Sequence, residues 1–454
     1  MRQAAPTVTA PRTLIVGLGK TGLSCARYLR AQGVAAAVTD SRANPPGLEQ
    51  LREDLPGLAV FAGGFQPEVF AAAERLVISP GVPLGEPLVQ AALARGVPVL
   101  GDIELFAQAV RSPVVAITGS NGKSTVTTLV GLMARLAGVE VAVGGNLGDP
   151  ALDLLDPAVA LYVLELSSFQ LETTATLKPK AATVLNLSPD HMDRYPSYAA
   201  YVAAKARVYQ GAEVAVVNRD DAAAAAIPHG AASELGFTLN APRGPDDFGL
   251  LERADGIWLA HGDRPLMPAT DLGIAGRHNL ANALAALALG TACGLPAEAM
   301  LQALRSFRGL PHRSVLVGSR DGVRWYDDSK GTNPGATVAA LEGLVEPGSP
   351  ARVVLIAGGD GKGADFRPLG PAVERAARAV VLFGRDAPLI EQALAGRVPI
   401  LHAADMADAV RLAAAAAQPG DCVLLSPACA SFDMFDNYEH RGRAFAQAVE
   451  KWIA

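Results

Sequence analysis

The segment Thr118–Thr125, which reads TGSNGKST, constrains this chain more than any other stretch. It follows the apolar run Val114–Ile117 and precedes a helical pattern that begins at Val126. A strand, a glycine loop and a helix in this order form a phosphate-binding loop, in which backbone N–H groups and a helix N-terminus face an anion. Lys123 would reach the outer phosphates, and a hydroxyl that follows it would hold Mg²⁺.

The spacing of this loop is unusual. The common pattern G-x-x-x-x-G-K-[ST] requires a glycine where this chain has Ile117. The alternative interpretation is a glycine turn with an exposed lysine. We favour a shortened phosphate loop, because the strand, Gly119, Gly122, Lys123 and two hydroxyls occur in the expected order.

Composition excludes several classes of protein. The chain has 454 residues, enough for two to four domains, and half of them are hydrophobic, with 46 Gly and 32 Pro. The net charge of −6 argues against a general nucleic-acid binder. The four cysteines are widely spaced and form no metal-binding pattern, so they are expected to be reduced thiols of a cytoplasmic protein.

No membrane segment is predicted. Residues Met1–Arg12 lack the apolar stretch of a signal peptide. No uninterrupted apolar run reaches the ~18 residues of a spanning helix.

We expect a monomer.

Apolar strand-like runs alternate with helical patterns in three groups, which predicts an α/β protein with parallel sheets and three domains. The runs are Leu14–Gly17, Ala35–Thr39 and Leu76–Ser79; Val114–Thr118, Ala160–Leu164, Thr183–Leu187 and Val214–Asn218; and Val353–Ala357, Val380–Phe383 and Cys422–Ser426. The predicted domains are a Rossmann-like domain over 1–100, a P-loop ATPase-like α/β domain over 101–309, and a second Rossmann-like domain over 310–454. Gly and Pro in Arg308–Arg313 mark the second boundary.

A second glycine motif, G-x-G-x-x-G, covers Gly17–Gly22 after the first strand, and Asp40 ends the next strand. This pattern fits a dinucleotide site of a dehydrogenase, with the acid on the ribose. It fits a nucleotide-diphosphate sugar equally well, because the loop specifies only a diphosphate near backbone amides. A tight turn for strand–helix packing is the third possibility.

Two further residues follow strands in the central region. Glu165 ends an apolar run, where a carboxylate can bind Mg²⁺. The alternative for Glu165 is a turn or capping residue. His191 follows another strand and can ligate a metal or contact an anion, although a lone histidine is usually structural.

Lys205 lies on an apolar helical face. It is seven positions beyond Tyr198, and Tyr201, Val202, Val208 and Tyr209 share that face. The lysine can extend its ammonium to water. If it is buried instead, its pKa falls, and the neutral amine can act as a nucleophile or add CO₂ to form a metal-binding carbamate.

Several segments resemble the Mur ligase family, the ATP-dependent amino-acid-adding enzymes of peptidoglycan synthesis. They are Thr118–Thr125, Leu164–Glu172, His191–Tyr195 and Gly276–Asn282. Three more segments resemble the branch that adds D-glutamate, namely Asp328–Asn333, Gly358–Gly363 and Ser426–Phe435. The Asp-Asn-Pro-Arg motif of the diaminopimelate- or lysine-adding relatives is absent from the sequence.

The resemblance implies that ATP, UDP-N-acetylmuramoyl-L-alanine and D-glutamate give an amide, ADP and phosphate through an acyl phosphate. It assigns catalysis to Lys123, Lys205, His191 and Glu165. It implies two Mg²⁺ ions, with ligands among Ser124, Thr125, Glu165, His191 and Lys205 as its carbamate. The residues expected to bind ATP are Gly119, Ser120, Asn121, Gly122, Lys123, Ser124, Thr125, Asn279, Asn282, Arg313 and Asp328.

The other two substrates would bind in the first and third domains. The residues expected to bind the UDP substrate are Gly19, Thr21, Gly22, Asp40, Ser41, Arg42, Ser79, Gly81, Asn146 and His191. The residues expected to bind D-glutamate are Lys330, Thr332, Lys362, Ser431, Phe432 and Tyr438. The alternatives are a folylpolyglutamate synthetase-like ligase, an NAD-dependent dehydrogenase and a non-catalytic nucleotide-binding protein.

Overall fold

Short runs of buried apolar residues form the central strands of this protein, because helices cover both faces of a parallel sheet. The computed structural model describes residues 13–274, 276–344 and 351–453. The strands of these residues form three successive sheets of five, nine and six strands, which confirms the predicted three-part α/β architecture. Residues Met1–Arg12, for which no signal peptide is predicted, lie outside the described residues.

The first sheet is parallel throughout. Its elements are β1 (Thr13–Val16), α1 (Lys20–Ala31), β2 (Ala36–Asp40), α2 (Leu48–Asp54), β3 (Ala59–Ala62), α3 (Pro67–Ala72), β4 (Arg75–Ile78), α4 (Pro87–Ala94) and β5 (Val99–Leu100). The strand order β3-β2-β1-β4-β5 is Rossmann-like, and the carboxyl ends of β1, β2 and β4 meet at one edge.

The second sheet carries the phosphate loop. Its elements are α5 (Asp102–Ala109), β6 (Val114–Thr118), α6 (Lys123–Leu136), β7 (Val141–Gly145), β8 (Leu161–Glu165), α7 (Ser168–Glu172), β9 (Ala181–Val184), α8 (Tyr198–Ala206), β10 (Val214–Asn218), α9 (Ala222–Ala225), β11 (Ser233–Phe237), β12 (Asp247–Arg253), β13 (Gly256–His261), β14 (Arg264–Pro268), α10 (Arg277–Ala292) and α11 (Ala297–Ser306). The order is β14-β13-β12-β11-β10-β9-β6-β8-β7, so β6 lies between β9 and β8.

The third sheet is parallel except for its first strand. Its elements are β15 (Val315–Arg320), β16 (Val323–Asp327), α12 (Pro334–Leu344), β17 (Val353–Gly358), α13 (Leu369–Ala376), β18 (Ala377–Phe383), α14 (Ala387–Leu394), β19 (Ile400–His402), α15 (Met406–Ala416), β20 (Cys422–Leu425) and α16 (Tyr438–Ile453). The order is β15-β16-β20-β17-β18-β19, and β19-β18-β17-β20 is again Rossmann-like.

Some predicted details were wrong. The helix after the phosphate loop begins at Lys123 rather than Val126, because Gly122 supplies the left-handed residue (φ 83°) from which it starts. The strand predicted over Thr183–Leu187 ends at Val184. The sheets are not purely parallel, since β12, β13 and β14 form antiparallel hairpins over short glycine turns. The domain boundaries near residues 100 and 309 stay predictions.

Among the described residues, no helix is both long and apolar enough to cross a membrane.

Candidate active site

The phosphate loop adopts a conformation that only glycine tolerates well at two positions. Gly119 has φ 146° and Gly122 has φ 83°. A Cβ on Gly119 would stand 3.0 Å from the Leu185 side chain, and one on Gly122 would stand 2.4 Å from Oδ1 of Asn282. Lys123 folds back over the loop, and its Nζ donates to the carbonyls of Gly119 and Ser120, each at 2.9 Å. The two glycines therefore shape a tight loop over which the Lys123 ammonium is held by backbone carbonyls.

Glu165 lies at the carboxyl end of β8, directly beside this loop. Ser124 Oγ donates to one carboxylate oxygen and Asn146 Nδ2 to the other, both at 2.6 Å. Burial opposes ionisation of Glu165, but Lys123 and these hydrogen bonds leave its pKa below the usual value. Arg313 Nη2, from the chain leading into the third sheet, donates to Ser124 Oγ at 2.7 Å. Residues from two parts of the chain thus meet at one hydroxyl.

These donors suit a magnesium ion. Mg²⁺ prefers hard oxygen ligands and usually takes one or two carboxylates plus substrate phosphates. Glu165 and Ser124 supply a buried carboxylate and a hydroxyl within 2.6 Å of each other. The described residues contain no group of three or more His, Cys, Asp or Glu side chains placed to bind a metal. The arrangement fits a metal held partly by phosphate, not one enclosed by protein ligands alone.

Lys205 is buried, as its position on an apolar face allowed. Lys205 is only 3% exposed, so its side-chain nitrogen does not reach bulk water. Nζ donates to the Gly119 carbonyl at 2.9 Å and lies 4.8 Å from the ring centroid of Tyr201. Burial, reinforced by the nearby charge of Lys123, holds the pKa of Lys205 well below its ordinary value. Burial therefore favours the uncharged form of the Lys205 amine beside the phosphate loop.

His191 lines the same space and has a left-handed backbone (φ 59°). Burial lowers the pKa of His191 to about 4, even though its Nε2 is 3.7 Å from Asp190 Oδ2. It is therefore a neutral imidazole near pH 7. Asp190 was missed by the sequence analysis: it accepts a 2.8 Å hydrogen bond from Lys362 Nζ, and despite burial this lysine lowers the Asp190 pKa to about 2. Its position before His191 at a strand end was the available signal.

A cavity of about 430 Å³ joins these groups between the second and third sheets. It contains residues predicted for metal and phosphate binding together with those predicted for D-glutamate. The predicted residues that line it are Ser120, Asn121, Gly122, Lys123, Ser124, Asn146, Glu165, His191, Lys205, Arg313, Lys330, Thr332, Lys362, Ser431, Phe432 and Tyr438. The structure therefore brings together in space two groups that are far apart in the sequence.

A second cavity, of about 680 Å³, opens from the other side of the phosphate loop. Asn279, Asn282 and Asp328 line it, as do Thr125 and Arg313. Asn282 Nδ2 donates to Asn279 Oδ1 at 3.2 Å, which fixes both amides at the start of α10. Burial raises the pKa of Asp328 to about 7, while Ser426 Oγ donates to its carboxylate at 2.7 Å. These lining residues, all predicted to bind ATP, thus share one cleft next to the phosphate loop.

Eight of the ten residues predicted for the UDP substrate, all but Asn146 and His191, surround the carboxyl ends of β1, β2 and β4 and line neither cavity. They are Gly19, Thr21, Gly22, Asp40, Ser41, Arg42, Ser79 and Gly81. Asp40 accepts hydrogen bonds from the N–H groups of Leu18 (2.7 Å) and Arg42 (2.8 Å), and the Arg42 guanidinium also binds it. Burial opposes ionisation of Asp40, but these donors lower its pKa overall. Its carboxylate therefore holds the glycine loop in shape, which weakens the dehydrogenase interpretation.

A glycine loop with a lysine, a buried carboxylate beside it and a cleft to a further domain are the features of a nucleotide-dependent enzyme. Three family models match the chain: "Mur ligase MurD-like, N-terminal domain" over 11–101, "Mur ligase middle domain" over 117–290 and "Mur ligase, glutamate ligase domain" over 312–429. The chain belongs to the Mur ligase family and is an ATP-dependent, amide-bond-forming ligase.

Relatives of known name cover the chain almost fully. It is 57% identical over 446 residues to UDP-N-acetylmuramoylalanine–D-glutamate ligase of Nitrosococcus oceani, which covers 98% of each chain. It is 55% identical over 436 residues to the protein of that name from Pseudomonas putida, which covers 96% of each chain.

Two solved structures have the same fold at low identity. The pseudomurein peptide ligase type C from Methanothermus fervidus matches with a TM-score of 0.61 and 16% identity, over 97% of this chain and 100% of that one. UDP-N-acetylmuramate-alanine ligase MurC from Thermotoga maritima matches with a TM-score of 0.60 and 17% identity, over the same shares.

Proposed function

We propose that this chain joins D-glutamate to UDP-N-acetylmuramoyl-L-alanine at the expense of ATP, through an acyl phosphate. The main support is the cavity of about 430 Å³, in which Lys123, Glu165 and Lys205 face Lys330 and Lys362. The near-full-length relatives carry the name of this reaction. We place it in the cytoplasm, where ATP is available, and we expect the enzyme to act as a monomer.

ATP would occupy the cleft on both sides of the phosphate loop. Its adenosine fits the cavity of about 680 Å³ beside Asn279, Asn282 and Asp328. Its phosphates would lie against the N–H groups of the loop, where Lys123 would exchange its two carbonyl partners for phosphate oxygens. This exchange is favourable because an anion compensates a buried ammonium better than neutral carbonyls do.

D-glutamate would bind between the loops of the third sheet. Its two carboxylates need cations, and Lys330 and Lys362 both line the cavity near the hydroxyls of Thr332 and Ser431. Lys330 Nζ lies 3.8 Å from the ring centroid of Tyr438, and burial lowers its pKa to about 8. A carboxylate in this space would restore the full charge of Lys330. Phe432, which is 73% exposed, lies at the mouth of the cavity.

The UDP substrate would reach this cavity from the first sheet. The glycine loop at Gly19–Gly22 and the turn Ser79–Gly81 would hold its diphosphate and uridine. Arg42 and Ser41 lie beside the loop at the end of β2. The alanyl carboxylate would then lie near Asn146 and His191, which line the cavity close to Glu165.

Two Mg²⁺ ions would be held by Glu165, Ser124 or Thr125, His191 and a carbamate on Lys205. Bound there, they would neutralise phosphate charge and polarise the phosphoryl group. The lowered pKa of Lys205 favours the neutral amine that addition of CO₂ requires. A carbamate at this position replaces a buried cation with an anion beside Glu165.

The residues of the chain would act in two stages. In the first, an alanyl carboxylate oxygen attacks the γ-phosphorus and ADP leaves, while Lys123 compensates charge on the transferring group. In the second, the neutral amine of D-glutamate attacks the acyl carbon, the C–O bond to phosphate breaks, and the departing phosphate takes the proton that the amine nitrogen loses. Lys330 and Arg313 lie near enough to this space to stabilise the oxyanion of the tetrahedral intermediate. Closure of the third domain over the second would exclude water that could hydrolyse the acyl phosphate.

The test is release of phosphate from ATP with UDP-N-acetylmuramoyl-L-alanine and each candidate amino acid in turn. We expect release with D-glutamate and not with L-glutamate, lysine or diaminopimelate. Lys123→Ala is expected to abolish ADP formation, because the lysine faces the reacting phosphate. Release with a folate and glutamate instead, or an unchanged rate in Lys123→Ala, would contradict the proposal.

A further inference from the structure

The turn that carries His191 contains an arginine with no part in the proposed chemistry. The left-handed backbone of His191 (φ 59°) is unusual for a residue with a side chain, so surrounding contacts must maintain it. Within the turn, the N–H groups of Arg194 and Tyr195 donate to the His191 carbonyl at 2.9 and 3.2 Å. These bonds fix the backbone of His191 but leave its imidazole ring to be held by other contacts.

Phe169, at the start of α7, supplies one of those contacts, in addition to the Asp190 carboxylate 3.7 Å from the imidazole Nε2. Its ring centroid lies 4.9 Å from that of His191 in an edge-to-face arrangement. The Arg194 guanidinium carbon lies 4.2 Å from the centroid of the same phenyl ring, within cation–π range. Tyr195 stacks on Phe169 as well, with a centroid distance of 5.9 Å. Phe169 is thus held between Arg194 and the imidazole.

Arg194 also reaches the first sheet. Its Nη2 donates to the carbonyl of Pro80 at 3.4 Å. Pro80 lies in the turn Ser79–Gly81, where the UDP group is proposed to bind. Glu172 lies close enough for the charge of Arg194 to lower its pKa, although burial raises the pKa of Glu172 overall. One side chain therefore links the substrate-binding turn of one domain to the imidazole at the active site of the next.

We propose that Arg194 is a positioning residue that aligns His191 through Phe169 when the first domain is docked. The inference rests on the proposed function, because it assigns a use to His191 and to the Ser79–Gly81 turn. The planar guanidinium can lie on the ring and donate to Pro80 at once, which the compact ammonium of lysine does not do well. Docking of the UDP-binding turn and orientation of His191 thereby become a single event.

The kinetic test compares Arg194→Met, Arg194→Lys and Phe169→Leu with the wild type. We expect Arg194→Met to raise the KM for the UDP substrate about tenfold, as loss of a partly buried cation–π contact implies. The KM for ATP should change less than about twofold, since Arg194 lines neither cavity. Arg194→Lys should recover little, and Phe169→Leu combined with Arg194→Met should cost less than the sum of the single changes.

The matched control is Arg253→Met. Arg253 lies 5.3 Å from the ring centroid of Trp258, also in the second sheet but in the hairpin formed by β12 and β13. It makes the same type of contact and is expected to change neither KM. Equal increases in both KM values for Arg194→Met, or additive effects with Phe169→Leu, would overturn the proposal. Full recovery in Arg194→Lys would also overturn it, in favour of a direct contact between Arg194 and substrate phosphate.

A second measurement separates this proposal from the proposed function. In protein labelled with ¹³C-histidine, the His191 signal is assigned by its loss in His191→Gln. We expect Arg194→Met and Phe169→Leu to shift that signal, because the ring current of Phe169 acts on the imidazole, while Arg253→Met leaves it unchanged. An unmoved signal in Arg194→Met overturns the positioning role even in an active enzyme. A shifted signal in a protein that does not use the UDP substrate retains the geometry and rejects the proposed function.

Discussion

At the scale of single residues, the burial of Lys205 determines the chemistry that its side chain can perform. Its Nζ hydrogen bonds go to the Gly119 carbonyl and, at 3.4 Å, to the Thr118 hydroxyl. Neutral oxygens compensate a buried ammonium poorly, so the side chain is prone to lose its proton. The burial that makes this lysine unfavourable as a cation makes it suitable for carbamate formation.

We expect Lys205→Ala to lower ligase activity by about a hundredfold or more, because the proposed metal-binding carbamate would be lost. Short-chain carboxylates such as acetate should restore part of it by occupying the vacated space. Steady-state rates with and without additive measure both effects. Lys180→Ala is the control, because Lys180 is an exposed lysine of the same domain that pairs with Glu213. A Lys205→Ala enzyme that is fully active without additive would contradict the carbamate.

At the scale of secondary-structure elements, a pair of buried acids joins α5 to the segment around α7. Gln170 Nε2 donates to Asp102 Oδ2 at 2.9 Å, while Asp102 Oδ1 is buried without a hydrogen-bonding partner among the described residues. Glu104 instead accepts hydrogen bonds from the backbone N–H groups of Ala175 (2.7 Å) and Thr176 (2.9 Å). The two carboxyl groups of one helix therefore respond oppositely to pH.

We expect Asp102→Asn to stabilise the protein near pH 7.5 by about 1–2 kcal/mol and to have little effect near pH 4. Burial raises the pKa of Asp102 to about 6, so the folded state binds its proton more tightly than the unfolded state does. The resulting stability is complete below pH 4 and is lost as pH rises through 6. Denaturation at both pH values measures it.

Glu104→Gln is the matched control on the same helix. Burial opposes ionisation of Glu104, but its hydrogen bonds leave its pKa below the usual value. The substitution should therefore destabilise the folded protein near pH 7.5. Equal effects of the two substitutions at both pH values would refute this account of α5.

In the glycine loop between β1 and α1, Gly22 is required for packing, whereas Gly19 has space around it. A Cβ on Gly22 would stand 1.9 Å from the Gly17 carbonyl oxygen, whereas one on Gly19 would have no heavy atom within 4 Å. We expect Gly22→Ala to destabilise the first domain by about 3 kcal/mol or more, and Gly19→Ala by less than about 1 kcal/mol. Gly19→Ala should instead raise the KM for the UDP substrate. Thermal unfolding and kinetics distinguish the two, and equal loss of stability would disprove the distinction.

At the scale of the whole molecule, a small set of polar contacts joins the second and third sheets. Asn333 Nδ2 donates to Asn121 Oδ1 at 3.1 Å, and Lys362 pairs with Asp190 at 2.8 Å. Arg313 adds its bond to Ser124. Polar interfaces of this kind between domains permit relative motion. The third domain is therefore docked by contacts that substrates can replace or strengthen.

We expect an ATP analogue together with the UDP substrate to decrease the radius of gyration in solution, because bound phosphates strengthen the contacts around Arg313 and Lys362. Small-angle scattering with and without ligands measures this change. The UDP substrate alone, which is proposed to bind mainly to the first domain, is the control and should produce less compaction. An identical radius in all three samples would argue against closure around Arg308–Arg313.

The sequence predicted much of the fold, for a physical reason that varies between elements. Two predicted strands have both ends where the structure places them, because buried parallel strands are continuous apolar runs. They are Val114–Thr118 and Val214–Asn218. The hairpins of β12–β14 were missed, since half-buried strands such as Gly256–His261 carry a weaker signal. The roles of the site residues stay predictions, although the structure places many of these residues along two adjacent cavities.

The sequence by itself determined the local chemistry of the phosphate loop. Glycines at 119 and 122, a lysine and two hydroxyls define it, because backbone conformation and phosphate binding both depend on short-range order. It also determined, through ordered motifs, the family to which the chain belongs. Only the tertiary structure decided that Lys205 is buried beside Gly119, that Asp190 pairs with Lys362, and that Arg194 links Pro80 to Phe169. Desolvation and contacts between distant segments depend on how the sheets pack, and no local pattern records them.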